Sequence, residues 1–106
     1  MNNEIQLYLN QIYNDFAHWF DRADTNKEYA QERLARFKAE LKIEEGNKFI
    51  KIVSNGSAHS FILKQNDGKF KKGDILKAAS WKAPAKNFAR GNILENNFGN
   101  VSWTGA

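Results

Sequence analysis

The sequence contains no cysteine and a single proline, Pro84, in 106 residues. Without cysteine, disulfide bridges and thiolate metal sites are excluded. No apolar run approaches the roughly 18 residues that a membrane-spanning helix needs. The first residues, MNNEIQLYLNQ, carry an acid and no base before their apolar residues, unlike a signal peptide. The sequence therefore predicts a cytosolic protein.

Groups suited to catalysis or metal binding are also scarce. The two histidines, His18 and His59, are far apart in the sequence and have no carboxylate pattern beside them, whereas a Ser-His-Asp site needs three positioned groups. Because His59 alternates with Phe61, both side chains are expected on one face of a strand. The aspartates between residues 15 and 24 lack the spacing of a calcium loop. We expect no enzymatic activity, no metal and no cofactor.

The chain is rich in apolar and aromatic residues, at 42% hydrophobic and 13% aromatic. A chain of this length and composition can bury the core of one domain. No internal repeat or linker divides it, so residues 1–106 are predicted to form a single domain.

The first third of the chain has a helical period. In residues 4–21 large apolar residues recur at spacings of three and four, which predicts a helix that packs on the rest of the domain. These residues are Ile5, Leu9, Ile12, Phe16 and Phe20.

A second helix is predicted after a short polar stretch. Thr25 and Glu28 have the spacing of a capping box, and Gly46 suits a helix C-cap. The apolar stripe between them consists of Ala30, Leu34, Phe37 and Leu41. Residues 1–45 are therefore predicted to form an antiparallel helical hairpin in which Phe37 is buried.

After residue 46 the hydrophobic period changes towards two, which is typical of strands. The Asn55-Gly56 pair is a strong hairpin signal. The predicted strands are residues 49–53, 57–65 and 75–81, with a loop over 91–100 and a short edge strand at 101–103. The predicted fold class is α+β: the N-terminal helical hairpin packs on a small, mostly antiparallel sheet of three or four strands, in a β-rich basic half over residues 46–106.

Positive charge is concentrated in one quarter of the chain. The net charge is +4, yet residues 1–45 carry −3 while residues 64–90 hold eight basic residues against two aspartates. Such local asymmetry points to an anionic partner.

A basic, aromatic segment follows the third predicted strand. Its residue types stack on bases and contact phosphates in nucleic-acid-binding proteins. The candidate residues are Trp81, Lys82, Lys86, Phe88 and Arg90. Pro84 should end strand pairing here. In the alternative interpretation Trp81 and Phe88 bury themselves to close the sheet and leave the lysines solvated; contact with a protein is a third possibility.

A second basic cluster, Lys69, Lys71 and Lys72, lies in the preceding turn. The predicted strand between the clusters, residues 75–81, is about 20 Å long at roughly 3.3 Å per residue. The clusters would therefore lie near opposite ends of it, unless the chain folds back after Pro84 and joins them into one track.

The second half of the chain resembles a group of small uncharacterised bacteriophage proteins. The resemblance lies in an ordered set of motifs: a K-[Y/F]-I-[K/R]-I-V strand, a strand with a central aromatic residue, K-G-D-I-L-K-A-A, K-A-P-A, R-G-N-I and W-T-G. Here they correspond to residues 48–53, 57–65, 72–79, 82–86, 90–93 and 103–105. It implies a phage or prophage origin and action in the cytoplasm of a bacterial host, and it implies no activity.

Together these features predict a non-enzymatic phage accessory protein whose basic, aromatic C-terminal half binds nucleic acid or a nucleoprotein. The alternative is a phage-encoded inhibitor of a host protein, such as a defence protein, that acts by protein–protein contact through the exposed part of the helical hairpin. Binding to nucleic acid should weaken steeply with salt, and contact with a protein should be less salt-sensitive.

Overall fold

Two helices precede an antiparallel sheet in the computed structural model, which describes residues 2–22, 27–99 and 101–106. The elements are α1 (Asn2–Arg22), α2 (Lys27–Glu40), β1 (Lys42–Glu45), β2 (Phe49–Ser54), β3 (Ser57–Leu63), β4 (Asp74–Lys77) and β5 (Gly91–Asn92). The strands lie in sequence order, and each pairs antiparallel with the next. The predicted α+β class is confirmed, although the described residues form five strands rather than three or four. The predicted helix cap at Thr25 and the side chain of Phe20 lie outside the described part.

The apolar stripe of α1 packs on one face of the sheet. Its buried residues are Ile5, Tyr8, Ile12 and Phe16, and they share a core with Ile50, Ile52, Ile62 and Ile75 of the strands. Phe37 of α2 is buried as predicted and stacks on Phe16, with ring centroids 4.0 Å apart. The helical period of the first 40 residues therefore encodes the face that covers the sheet.

The opposite face of the sheet has its own apolar cluster. Because side chains alternate along a strand, Phe61 and Leu63 of β3 and Leu76 of β4 point away from the helices and pack with Phe70. Partly buried Ala89 joins them from the chain after β4. The C-terminal half thus covers this second face, and the candidate site lies here.

The β2–β3 hairpin has the predicted turn. Asn55 and Gly56 both have positive φ, 53° and 75°, as a two-residue type I′ turn requires. The returning strand ends at Leu63 rather than at residue 65.

The predicted end of the second helix is wrong. The helix stops at Glu40, and Lys42–Glu45 forms β1 on the edge of β2. The Gly46 amide donates to the Phe49 carbonyl at 2.8 Å, so Gly46 belongs to a hairpin rather than to a helix cap. Strand pairing places Glu44 3.5 Å from Lys51, whereas in a helical last turn Glu44 would oppose the helix dipole.

The third predicted strand is also shorter than expected. β4 ends at Lys77, and the chain then turns: the amides of Ala79 and Ser80 donate to the Ala83 carbonyl at 3.0 and 3.1 Å. Ala78 forms an isolated bridge with Pro84. Trp81 therefore lies in a turn and not at the end of a strand.

Two further predictions for the C-terminal residues need correction. The loop predicted over residues 91–100 contains the strand β5. The strand predicted at residues 101–103 is instead a turn closed by a Ser102–Gly105 bridge. The Trp103 amide donates to Asp15 Oδ2 at 2.9 Å, and its ring meets Phe16 edge-on at 4.9 Å. Trp103 therefore fastens the C-terminal residues to α1. Neither helix is long and apolar enough over its described residues to cross a membrane.

A buried hydrogen-bonded chain joins α1, β3 and the C-terminal turn. His59 Nε2 lies 2.8 Å from the Ser102 carbonyl, which can only accept, so Nε2 carries the proton. In the neutral ring Nδ1 then accepts from Ser60 Oγ at 2.9 Å, and Ser60 Oγ accepts from the Tyr8 hydroxyl at 2.7 Å. Burial raises the pKa of Tyr8 well above its ordinary value, partly offset by the hydrogen bond to Ser60.

His59 faces the helices, contrary to the expectation that it shares a face with Phe61. Ile52 pairs with Ser60 and Val53 with Ala58, which leaves His59 as an extra residue at a register shift. Such a bulge re-aims a side chain, and the His59 ring lies 6.2 Å from that of Tyr8. Both ring nitrogens are used within the fold, so the position of His59 is structural.

Acidification is expected to destabilise the protein through His59. Burial lowers the pKa of His59 below its ordinary value of 6.5, and the hydrogen bond to Ser102 only partly opposes this shift. As the pH falls through about 6.5, the unfolded chain takes up a proton that the folded chain does not. The free energy of unfolding should therefore fall below that pH.

Urea melts at about pH 7.5 and about pH 5.5 measure this effect. His59→Gln should lose most of the difference between the two pH values, while the same change at exposed His18 should keep it. An unchanged pH dependence in His59→Gln would show that other groups cause it.

Candidate nucleic-acid interface

The chain folds back through the turn over residues 79–83, so that it already runs in the reverse direction at Pro84. The Ala85 amide donates to the Lys77 carbonyl at 2.7 Å, and the Arg90 amide donates to the Ile75 carbonyl at 2.7 Å. Residues 84–90, here called the return segment, therefore run antiparallel beside β4, back towards the turn that precedes it. The sequence predicted that its two basic clusters would form one track only if the chain folded back in this way.

The lysine-rich turn contacts the return segment directly. Lys69 Nζ donates to the Asn87 carbonyl at 2.7 Å, and Lys86 Nζ lies 3.6 Å from Asp67 Oδ2. Lys71 and Lys72 are exposed nearby, but Lys71 Nζ pairs with Glu95 at 3.1 Å. Of the three lysines in the turn, Lys69 is thus the one whose side chain contacts the return segment.

Trp81 is 44% exposed and carries a lysine on its ring. Lys51 Nζ lies 3.9 Å from the Trp81 ring centroid, 6.0 Å from the Phe61 centroid and 3.5 Å from Glu44. A cation so close to an indole ring is held by the ring's negative face. Lys51 thus supports Trp81 from the sheet.

Exposed Phe88 and half-buried Arg90 form a second pair of a ring and a cation. The Arg90 guanidinium lies 3.8 Å from the Phe88 ring centroid, and Phe88 is 55% exposed. Arg90 Nε is shielded from water and has no hydrogen-bond partner among the described residues. The alternative interpretation, in which Trp81 and Phe88 bury themselves to close the sheet, is therefore wrong for both rings.

The basic-aromatic surface, as we name it, lies on the sheet face opposite the helices. Its members are Lys51, Lys69, Trp81, Lys82, Lys86, Phe88 and Arg90. Lys82 is exposed, and Lys86 Nζ lies 5.7 Å from the Phe49 ring. The surface can offer ammonium groups to phosphates and half-open rings to flat ligands.

Lys51 is the member that sequence reasoning missed. It alternates with Ile50 and Ile52 in β2, so the strand period alone places it on the face away from the helices. Only the turn over residues 79–83, which follows β4, brings Trp81 over that face and makes Lys51 part of the surface.

A separate recess of about 230 Å³ lies where the helices meet the β2–β3 turn. Arg33 and Arg36 of α2 line it, with Phe16, Phe37 and Trp103 among the aromatic lining residues. Arg33 Nε is buried and has no hydrogen-bond partner in the described part of the chain. Glu40 also lines the recess, so an anionic group that enters it meets two guanidinium groups and one carboxylate.

Comparison with known proteins identifies a family and no activity. Neither the curated proteins nor the solved structures include a match to the chain. One family model, described as a family of unknown function (DUF7717), matches residues 1–106, so it includes the helical half that the motif resemblance leaves out. The chain therefore belongs to the DUF7717 family of unknown function.

Proposed function

We propose that this protein is a non-enzymatic accessory protein, of phage origin, that binds single-stranded nucleic acid on the basic-aromatic surface. The observation that carries the proposal is the 2.7 Å contact between Lys69 Nζ and the Asn87 carbonyl. This contact joins the lysine-rich turn to the return segment, so that basic residues of both segments accompany two exposed rings.

The exposed rings favour a single strand over a duplex. Trp81 and Phe88 are each covered by one cation and are 44% and 55% exposed. Unpaired bases can stack on such rings, each contributing about 1–3 kcal/mol whatever the base. In a duplex the base faces are already stacked on each other and are not available.

The lysines supply the sequence-independent part of the affinity. Ammonium groups on flexible side chains follow phosphates without reading bases. Each phosphate that is neutralised should add about 0.7 to the slope of log affinity against log salt for a single strand. Binding is therefore expected to be steeply salt-dependent.

The test is a titration of labelled single-stranded DNA and RNA, and of matched duplexes, at low and at physiological salt. We expect binding to single strands, weakened by salt, and a loss of about 1–3 kcal/mol in Trp81→Ala. Tyr29→Ala is the matched control, because Tyr29 is 52% exposed but lies on α2. Absence of binding by the wild-type protein at low salt would refute the proposal.

The second candidate function is inhibition of a host protein, and the recess beside α2 favours it. Arg33 and Arg36 could pair there with an acidic segment of the target, and Trp19 on α1 is 51% exposed. In that case the titration shows no nucleic-acid binding, and recovery of a target from host lysate is insensitive to nuclease and less sensitive to salt than nucleic-acid binding would be.

A further inference from the structure

The two edges of the sheet differ in how they are protected. Along β5, Asn92 exchanges both backbone hydrogen bonds with Asn97, at 2.8 and 3.0 Å, so the following chain covers that edge. At the other edge, all four residues of β1 are exposed, and Ile43 is 40% exposed. An uncovered edge strand presents unpaired amides and carbonyls as a template for another strand.

The backbone groups that face outwards on β1 follow from its pairing with β2. The Gly46 amide points to Phe49, and the register continues unbroken from Glu45↔Ile50 to Lys42↔Val53. Hydrogen-bonding direction alternates along an antiparallel strand. The amide and carbonyl groups of Ile43 and Glu45 therefore point away from the sheet.

We propose that β1 pairs antiparallel with β1 of a second copy of this chain, joining two sheets into one across a two-fold axis. Side-chain charge selects the register. A pairing centred on Lys42 opposes two lysines, and one centred on Glu44 or Glu45 opposes two glutamates, which is unfavourable. Centring on Ile43 places isoleucine opposite isoleucine, and Lys42 of each copy opposite Glu44 of the other.

This register also suits the hydrogen-bond geometry. The two Ile43 residues exchange their outward-facing amide and carbonyl groups, so Lys42 and Glu44 form the non-hydrogen-bonded pairs, whose Cα atoms are only about 4.5 Å apart. Glu44 already lies 3.5 Å from Lys51 within its own chain. The dimer thus has a row of alternating charge, from Lys51 through Glu44 to Lys42 of the second copy.

The dimer has a consequence for binding that rests on the proposed function. Rotation about an axis perpendicular to the sheet does not exchange the two faces of the sheet. Both basic-aromatic surfaces therefore lie on the same face of the joined sheet. From β3 of one copy to β3 of the other there are five strand spacings, about 24 Å at roughly 4.8 Å each. One nucleic-acid strand could contact both surfaces and gain from bivalent attachment.

Sedimentation equilibrium of the protein without nucleic acid, over a series of rising concentrations, tests the dimer. Lys42→Glu and Glu44→Lys each place like charges opposite each other twice per dimer, and each should weaken dimerisation by about tenfold or more. The double variant Lys42→Glu/Glu44→Lys exchanges the charges and should restore it. Lys38→Glu, at an exposed position on α2, is the control for charge reversal alone.

A wild-type protein that stays monomeric at every concentration overturns the inference. So does a dimer that Lys42→Glu leaves unchanged, or a double variant that fails to recover. Circular dichroism and thermal melts establish that each variant is folded, because Glu44→Lys also replaces the ion pair with Lys51 by two like charges opposite each other in the same chain. The sedimentation experiment contains no nucleic acid, so it tests the dimer separately from the proposed function. If the protein forms a dimer but the titration shows no nucleic-acid binding, the proposed function is refuted and this inference stands.

Discussion

Replacing Phe37 with alanine is expected to lower the free energy of unfolding by about 3–5 kcal/mol. Phe37 is 6% exposed, and its ring stacks on Phe16 at 4.0 Å with an interplanar angle of 12°. The Trp103 ring lies 6.2 Å away, edge-on. The variant loses the apolar area of the ring and leaves a cavity between the two helices and the C-terminal turn.

The loss is a large part of the stability of a small domain, which is typically about 5–15 kcal/mol. Urea melts of the wild-type protein and the variant measure it as a shift in midpoint at constant slope. Phe88→Ala is the matched control, because the same atoms are removed from a ring that is 55% exposed. We expect it to cost less than about 1 kcal/mol.

A cost below about 1 kcal/mol for Phe37→Ala would contradict the packing of α2 on α1. The face around Phe37 would then be open in solution. It would become the first candidate for the surface that contacts a protein target.

The triple variant Lys82→Ala, Lys86→Ala, Arg90→Ala is expected to abolish nucleic-acid binding at physiological salt while the fold persists. Lys82 and Lys86 are exposed and Arg90 is half-buried, and the only ion pair that the three form with other described residues links Lys86 to half-exposed Asp67 at 3.6 Å. Such exposed pairs contribute little to stability. The binding free energy, in contrast, loses three phosphate contacts at once.

The salt slope is the sharper measurement for this variant. Losing three phosphate contacts should reduce the slope of log affinity against log salt by about two for a single strand. Arg36→Ala, Lys38→Ala, Lys77→Ala removes the same charge from exposed positions outside the basic-aromatic surface and outside β1. If both triple variants weaken binding equally, only net charge matters and the surface has no special role.

The helices show how much of the fold the spacing of apolar residues predicts. Spacings of three and four placed Ile5, Ile12 and Phe16 on one face of α1, and they also placed Phe37 in the core. The Asn55-Gly56 turn was equally predictable, since few residue pairs accept two consecutive positive φ angles. These features depend on residues a few positions apart, which a sequence displays directly.

Predictions failed where the outcome depends on how two strands pair. Lys42–Glu45 is too short for its period to distinguish a strand from the last turn of a helix, and its pairing with β2 decided the outcome. His59 faces the helices because of a register shift between two strands, which alternation along one strand does not reveal.

The candidate surface likewise has some features that the sequence displays and others that only the tertiary structure creates. The sequence by itself determined that residues 64–90 are basic and that Trp81 and Phe88 stand among those charges. Only the tertiary structure decided that the return segment runs back beside β4, that Lys69 reaches Asn87, and that Lys51 supports Trp81. The reason is physical: composition and period are local properties of the chain, whereas the approach of two clusters depends on hydrogen bonds between backbone segments that the sequence does not place side by side.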